Sequence, residues 1–303
     1  VAAAAPDAAA AALACRLMID ASHGNSQKKA ENQVPVVGET ADGIAEITLN
    51  RPDRGNSISP AMMKALEESW RALEQDRGVR VVILTAAGER HFCTGADVSA
   101  LEVGVGGLNN QPYAVANRFT PRMMHMTKPV ICAVNGLVNG GGLHFVADCD
   151  IVVASESAEF MDSHVSVGQV SGLESQGIAR RAGLGAALLM GLAGRGYRMS
   201  AQRAWMLGMV DLLEPTPAAA LAKARDLAAA ICENSPQAMA LSKRAIWATT
   251  ELSDPVAADY GWELLKSHWA HPDFTEGPRA FGEKRKPVWN PDPNARCTSA
   301  ARA

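Results

Sequence analysis

The sequence predicts an α/β protein, because strand-like and helix-like segments alternate along most of its 303 residues. Four β-branched runs bounded by glycine, proline or charged residues predict strands, over residues 44–49, 79–85, 130–134 and 151–154. Past Pro217 the strand patterns stop and helical patterns follow. We therefore expect an α/β core followed by a helical C-terminal region.

The first helix is predicted from its cap and its apolar face. Ser59 followed by Pro60 is typical of an N-cap and a first helical residue. Apolar residues then recur every three or four positions, a spacing that places them on one face of a helix. These residues are Met62, Leu66, Trp70 and Leu73.

The C-terminal helices are predicted in the same way. Residues 221–232 have a helical pattern, Ser235 and Pro236 cap a second helix, and Pro255 and Thr275 begin two more. The chain is thus divided into an Ala-rich extension expected to be disordered (1–33), an α/β core (34–217), a helical region (218–290) and a frayed tail (291–303).

Composition narrows the class of protein. Lys and Arg total 29 against 32 Asp and Glu, a net charge of −3, so we expect no nucleic-acid partner. Residues 129–147, the longest uncharged run in the middle of the chain, contain four glycines, two asparagines and a histidine, so we expect no membrane span. Six cysteines without a CxxC pair indicate reduced thiols and no metal site. Residues 12–15 only faintly resemble a lipoprotein cleavage box, and we expect a cytoplasmic protein.

Two glycine-rich segments, residues 93–97 and 135–142, each follow a strand-like run. Glycine permits tight turns and close backbone approach, so two such turns meeting would form an oxyanion hole. Structural turns are the alternative interpretation. The segments do not have the spacing of a P-loop or of a dinucleotide-binding fingerprint.

An ordered series of motifs spanning about residues 34–290 resembles the crotonase, or enoyl-CoA hydratase/isomerase, superfamily. The motifs are Ile44 to Pro52, Asn56, Arg80 to Thr85, His91 to Asp97, Lys128-Pro129 with Asn135-Gly136, Gly140 to Gly142, Ser200 to Ala204 with Gly208 to Val210, and Glu283 to Pro287. The resemblance implies a spiral of ββα units with a C-terminal helical region that forms trimers, often paired into hexamers. It also implies an acyl-CoA substrate and no cofactor besides the coenzyme A of that substrate.

The resemblance implies site residues as well. The backbone N–H groups of Ala96 and Gly141 would bind the thioester oxygen, where charge develops during reaction. Arg54, Phe281 and Lys284 would contact coenzyme A, the last two from the same subunit or from a neighbouring subunit of the family's trimers. For Arg54 and Lys284 the alternative is solvated surface charge.

The sequence departs from the family at its two catalytic glutamates. His144 and His164 occupy those positions, and Asp162 precedes His164 by two residues. Histidine has the unperturbed pKa nearest neutrality, so replacing both glutamates by histidine indicates altered acid–base chemistry rather than its loss. In one alternative interpretation, each histidine only fills a buried polar position and has no catalytic role. A metal site formed by the two histidines and Asp162 is a second and weaker alternative.

Glu174 is a third candidate, because it stands in a loop where hydratases of the family usually have glycine. In the alternative interpretation, Glu174 is an exposed carboxylate in a loop and has no catalytic role. His91 is a further candidate for lining the acyl pocket, with a surface or packing role as the alternative. We also expect residues 104–110, rich in glycine and asparagine, to form a mobile loop beside the acyl site.

Three functions follow from these features. The first is an acyl-CoA lyase of enoyl-CoA hydratase type, in which His144 and His164 position water and transfer its proton. The second is hydrolysis of a carbon–carbon bond in a β-dicarbonyl substrate, or double-bond isomerisation, on the same oxyanion hole. The third is a non-catalytic subunit that binds acyl-CoA, suggested by the two missing glutamates.

Overall fold

The computed structural model describes residues 36–40, 42–97, 99 and 118–297 and arranges its strands in two sheets. The strands are β1 (Val36–Thr40), β2 (Ile44–Leu49), β3 (Val81–Ala86), β4 (His91–Cys93), β5 (Val130–Val134), β6 (Leu137–Asn139), β7 (Ile151–Ser155), β8 (Glu159–Met161), β9 (Met199–Ser200) and β10 (Leu212–Glu214). One sheet has the order β1-β2-β3-β5-β7-β10 and the other β4-β6-β8-β9. The expected extension (1–33) and the expected loop (104–110) lie outside the described residues.

Consecutive strands alternate between the two sheets. From β3 to β8 each odd-numbered strand joins the six-stranded sheet and each even-numbered strand joins the four-stranded one. Strands β2, β3, β5, β7 and β10 pair in parallel, as do β4, β6 and β8, whereas β1 and β9 pair antiparallel with their neighbours. This arrangement confirms the predicted α/β spiral.

The helices are α1 (Pro60–Gln75), α2 (Leu143–Asp148), α3 (Glu174–Ala182), α4 (Leu184–Ala193), α5 (Ala201–Met206), α6 (Pro217–Cys232), α7 (Pro236–Ala248), α8 (Asp254–His268) and α9 (Asp273–Gly282). The predicted cap of α1 is confirmed, since the Ser59 side chain accepts a hydrogen bond from the Met62 N–H at 3.2 Å. All four residues of its predicted apolar face are buried.

The six-stranded sheet is covered on both faces. One face contributes to a large core that includes the apolar face of α1 and the four-stranded sheet. On the other face Ile83 and Ile131 belong to a smaller core with three alanines of α6, spaced four residues apart: Ala220, Ala224 and Ala228. Small side chains let this helix approach the sheet closely, so the first helix after the strand-like patterns packs on the α/β core.

The four-stranded sheet positions the candidate site. Three neighbouring parallel strands, β4, β6 and β8, end just before Ala96, Gly141 and Asp162 respectively. The carboxyl ends of parallel strands meet at one edge of a sheet, where α/β proteins bind their ligands. Residues far apart in sequence therefore meet at this edge.

Residues 291–297 fall within the segment that we expected to fray, and they make hydrogen bonds with the C-terminal helices. The Gln237 amide donates to the carbonyl of Pro293 at 2.9 Å, and the Cys297 N–H donates to the carbonyl of Ala270 at 2.7 Å. Within the part of the chain that the structure describes, no helix combines the length and the apolar character that crossing a bilayer requires.

Candidate active site

The two predicted glycine turns meet. Gly95 has a φ of +89°, and a Cβ atom there would lie 2.9 Å from the backbone nitrogen of Gly141. A Cβ atom on Gly141 would lie 3.5 Å from the backbone nitrogen of Ala96. Glycine at position 95 therefore allows the loop after β4 to touch the 3-10 helix that follows β6 (Gly140–Gly142), which brings two backbone N–H groups together.

Both N–H groups are available to a ligand. The loop after β4 is fixed by backbone hydrogen bonds with Ile58. The Asp97 N–H donates to the Ile58 carbonyl at 2.9 Å, and the Ile58 N–H donates to the Gly95 carbonyl at 2.8 Å. Among the described residues, none accepts a hydrogen bond from the N–H of Ala96 or of Gly141. Such a fixed pair of donors can bind an oxygen that gains negative charge.

Asp162 and His164 form a tight pair just after β8. The Asp162 carboxylate is fully buried, and its Oδ1 lies 2.6 Å from Nδ1 of His164 and accepts from the His164 backbone N–H at 3.0 Å. The hydrogen bond to Asp162 raises the pKa of His164 above its ordinary value, against the effect of burial. Burial raises the pKa of Asp162, but its bonds with His164 and Ser171 outweigh this and lower it.

Glu174 lies between the two histidines. Its Oε1 is 3.3 Å from Nε2 of His144 and 3.8 Å from Nε2 of His164. Burial opposes ionisation of this carboxyl, but the hydrogen bond and charge of His144 and the charge of His164 lower its pKa overall. The residue is 9% exposed at the first position of α3, so the interpretation of an exposed loop carboxylate is wrong.

His144 is the most buried of the three side chains His144, Glu174 and His164. It is buried in the first turn of α2, and its ring packs edge-to-face on Phe119 with 5.7 Å between the ring centroids. Phe119 was not a candidate in the sequence, because a single aromatic residue outside any motif gives no signal. The apolar contact leaves Nε2 of His144 facing the Glu174 carboxylate.

We call this row of groups the His–Glu–His array (His144, Glu174, His164). The array is most exposed to solvent at His164. The exposed fractions of the side chains are 6% for His144, 12% for Glu174 and 24% for His164. A Cβ atom on Gly140 would lie 3.3 Å from Cε1 of the His164 ring. Gly140 precedes Gly141, so the open end of the array adjoins the paired N–H groups.

The structure brings together the catalytic and oxyanion candidates but not the coenzyme A candidates. Arg54 is exposed at the end of a 3-10 helix (Pro52–Arg54), while Phe281, which is 88% exposed, and Lys284 lie at the end of α9. Among the described residues, no hydrogen bond or ion pair joins any of these three to the array. In the same part of the chain, no group of three or more histidine, cysteine or acidic residues has the arrangement of a metal site.

Two serines near the array were missing from the sequence prediction. Ser171 donates a hydrogen bond to Oδ2 of Asp162, and Ser175 bonds to Ser171. A serine in a loop is too common to stand out. The only available signal was the i,i+4 spacing of the two serines around Glu174, which has meaning only once α3 is known to begin there.

Comparison with known proteins places this site in context. A family model described as enoyl-CoA hydratase/isomerase matches residues 39–292. The chain is 34% identical over 263 residues to (E)-benzylidenesuccinyl-CoA hydratase of Thauera aromatica. This match covers 84% of this chain and 99% of that protein. The chain is also 34% identical over 265 residues to a mevalonyl-coenzyme A hydratase of Aspergillus fumigatus, covering 82% of this chain and 92% of that protein.

A solved structure gives the same result for the fold. The crystal structure of an enoyl-CoA hydratase/isomerase from Mycobacterium paratuberculosis superimposes with a TM-score of 0.76 at 35% sequence identity. The match covers 85% of this chain and 98% of that one.

Proposed function

The chain belongs to the enoyl-CoA hydratase/isomerase family, and from this premise we propose that it adds water to the double bond of a 2-enoyl-CoA. One observation carries the proposal: the carboxyl group of Glu174 lies between two imidazoles beside a pair of backbone N–H groups without a partner among the described residues. Hydration needs a base for water, an acid for the α-carbon and donors for the enolate oxygen, and these groups supply all three.

The addition uses Glu174 as the base. A water molecule held between Oε1 of Glu174 and Nε2 of His164 gives its proton to Glu174 as its oxygen attacks the β-carbon. The lowered pKa of Glu174 keeps this carboxyl ionised near neutral pH. The N–H groups of Ala96 and Gly141 stabilise the enolate oxygen that forms, an interaction that commonly contributes about 3–4 kcal/mol.

His164 acts as the acid. Its raised pKa favours the imidazolium, whose Nδ1–H is held by Asp162 while the Nε2–H protonates the α-carbon. After the addition Glu174 carries a proton and His164 is neutral. A proton transfer between these groups, 3.8 Å apart, restores both. His144 acts through Glu174, because it holds the other side of the same carboxylate oxygen.

The remaining parts of the proposal concern the substrate and the assembly. Coenzyme A enters as part of the substrate and no further cofactor takes part. Arg54, Phe281 and Lys284 bind its nucleotide portion in a homotrimer or hexamer, with the last two reaching a neighbouring subunit's site, and the enzyme works in the cytoplasm. Exposure of all three side chains is consistent with this role.

The test is incubation with crotonyl-CoA in oxygen-18 water, followed by mass analysis of the thioester. We expect one labelled oxygen in the product, with incorporation lost in Glu174→Gln. Glu159→Gln is the matched control, because the Glu159 carboxylate is only partly buried and pairs with Arg198 rather than with the array. Equal incorporation by wild type and Glu174→Gln would overturn the assignment of the base.

The close Asp162–His164 pair favours a second candidate, hydrolysis of a carbon–carbon bond in a β-dicarbonyl acyl-CoA. A neutral His164 with its Nδ1–H fixed on Asp162 presents a free Nε2 that can activate water toward a carbonyl carbon. Release of a labelled free acid from a β-ketoacyl-CoA would identify this reaction, and movement of a double bond without label would identify isomerisation. The hypothesis of a non-catalytic subunit is opposed by membership of a family of enzymes.

A further inference from the structure

Asp162 is a fully buried carboxylate, and each of its two oxygens has a hydrogen-bond donor. Oδ1 accepts from the backbone and ring of His164, and Oδ2 accepts from the hydroxyl of Ser171. A carboxylate held at one oxygen only can rotate about its Cβ–Cγ bond, whereas donors at both oxygens fix its plane. The Ser171 hydroxyl therefore determines the orientation in which Asp162 meets the His164 ring.

The hydrogen bonds of the two serines have a defined direction. A hydroxyl group has one proton, and Ser171 uses its proton on Asp162. The bond between Ser171 and Ser175 must then be donated by Ser175. Ser175 thus donates to Ser171, Ser171 donates to Asp162, and the Asp162 carboxylate also accepts from His164.

The space for the two serine hydroxyls is provided by Gly191 of α4. A Cβ atom there would lie 3.1 Å from Oγ of Ser175 and 3.5 Å from Oγ of Ser171. A side chain at this position would press on the two hydroxyls. The glycine thus admits them at the contact between α3 and α4.

The two sides of the His164 ring are tied to the same helical turn. Nε2 faces Glu174, the first residue of α3, and Nδ1 is held by Asp162, whose donor Ser171 is bonded to Ser175, the second residue of α3. A shift of the imidazole relative to the start of α3 would break one of these links. The arrangement therefore fixes the distance between the proposed acid and the proposed base.

We propose that Ser171, supported by Ser175, is a positioning residue that holds Asp162 and through it sets the place of His164 opposite Glu174. The proposal rests on the proposed hydration for its catalytic meaning. Its structural content concerns the free protein and does not depend on which reaction the enzyme performs.

The experiment compares wild type, Ser171→Ala and Ser171→Thr by NMR of the ligand-free protein with labelled aspartate and histidine. In Ser171→Ala we expect the Asp162 carboxyl to titrate at a higher pH, because the carboxylate has lost a donor. The Nδ1 proton resonance of His164 is expected to move or broaden. Ser171→Thr keeps a hydroxyl and should retain the wild-type values.

Kinetics supply the second readout. Ser171→Ala is expected to lower kcat about 10- to 100-fold, the size usual when a group that orients a reacting side chain is lost, with KM changed less than about twofold. Ser166→Ala is the matched control, since this hydroxyl lies nearby but accepts from the Arg195 N–H instead. Gly191→Ala keeps both hydroxyls and should shift the same signals to a smaller extent.

The outcomes separate the two proposals. Unchanged Asp162 and His164 signals in Ser171→Ala would overturn the positioning role, whatever the reaction. Changed signals in a protein that hydrates no enoyl-CoA would leave the positioning role supported and contradict the proposed function. A fall in activity equal in Ser171→Ala and Ser166→Ala would also contradict the positioning role.

Discussion

The described part of the chain includes two clusters of histidines and carboxylates that differ in their hydrogen-bond partners. The first is the His–Glu–His array with Asp162. The second, which we call the C-terminal cluster (Ser235, Gln237, His268, His271, Asp273), joins α7, α8 and α9. In it the rings of His268 and His271 stack with 5.8 Å between centroids, and Ser235 donates to Asp273 at 2.5 Å.

The clusters differ in what their nitrogen atoms face. His271 is fully buried, with Nε2 3.0 Å from the carbonyl of Asp292 and Nδ1 accepting from the Asp273 N–H at 3.2 Å. The Asp273 carboxylate is farther from this ring, at 3.7 Å from Nδ1, than Asp162 is from His164 at 2.6 Å. Nδ1 of His268 faces the amide oxygen of Gln237 at 2.5 Å, and burial lowers the pKa of His268. His164 instead faces two carboxylates, its pKa is raised and its ring is partly open.

This comparison indicates that the hydrogen-bond partners of a histidine, and not its burial alone, determine whether it has a structural or a catalytic role. In the C-terminal cluster the hydrogen bonds of both rings go to neutral amide and carbonyl groups, and these bonds link separate segments of the chain. Carboxylate partners favour a ring that binds a proton and can pass it on. The C-terminal cluster is thus expected to contribute to stability, and the array to catalysis.

The largest expected effect is a difference in kcat between two variants, each of which removes one carboxylate charge from one cluster. Glu174→Gln should lower kcat for hydration by about 10²- to 10⁴-fold, the usual contribution of a general base. The corresponding change Asp273→Asn should leave kcat of the folded enzyme unchanged. Steady-state kinetics on samples with matched folded fractions test this, and a comparable loss in both variants would remove the distinction.

The next effect concerns stability. His271→Ala deletes a fully buried ring with two hydrogen bonds, so the free energy of unfolding should fall by about 2–4 kcal/mol. His164→Ala removes a partly open ring and leaves Asp162 with two donors, the backbone N–H of residue 164 and the Ser171 hydroxyl, so it should cost less. Urea unfolding followed by circular dichroism gives both values. Equal losses would mean that the array also serves mainly to hold the fold.

A third effect is the pH dependence of kcat. The proposed reaction needs Glu174 ionised and His164 protonated, so kcat should be level between the lowered pKa of Glu174 and the raised pKa of His164. Above the His164 pKa it should fall about tenfold per pH unit, because the acid is lost. A rate that rises through this range would show that His164 acts as a base instead.

The smallest effect is a difference in the sign of pH-dependent stability. Since the pKa of His164 is raised in the folded state, its contribution is complete below about 6.5, the unfolded pKa, and is lost as pH rises through the folded value. The pKa of His268 is lowered, so its contribution is present above about 6.5 and is lost as pH falls through the folded value.

Thermal unfolding of His164→Gln and His268→Gln against pH measures the two contributions. Relative to wild type, His164→Gln should be most destabilising on the acid side and His268→Gln on the alkaline side. Parallel curves for the two variants would contradict the opposite pKa shifts on which the comparison depends.

The sequence predicted four of the longer strands and the first helix, because their patterns are local. The β-branched runs became β2, β3, β5 and β7, and the cap at Ser59 and the apolar face ending at Leu73 appear as predicted. The histidines at positions 144 and 164 stood out because they fall on family motifs. Local pattern and motif position were sufficient for both.

The central position of Glu174 could not be predicted, because it depends on where α3 begins. From the sequence this residue lay in a loop, and an exposed carboxylate was the simpler interpretation. Only the packing of α3 brings its carboxylate within 4 Å of nitrogen atoms from two other elements. The role of Ser171 and Ser175 could not be predicted for the same reason, because Ser171 contacts Asp162 only in the folded structure.

The most direct test of the account is a crystal structure with the product of crotonyl-CoA hydration, 3-hydroxybutyryl-CoA, bound. We predict the thioester oxygen within hydrogen-bond distance, about 2.7–3.2 Å, of the Ala96 and Gly141 nitrogens. The 3-hydroxyl group should lie between Oε1 of Glu174 and Nε2 of His164. A thioester bound at the predicted N–H pair with its 3-hydroxyl group away from both side chains would contradict the central claim.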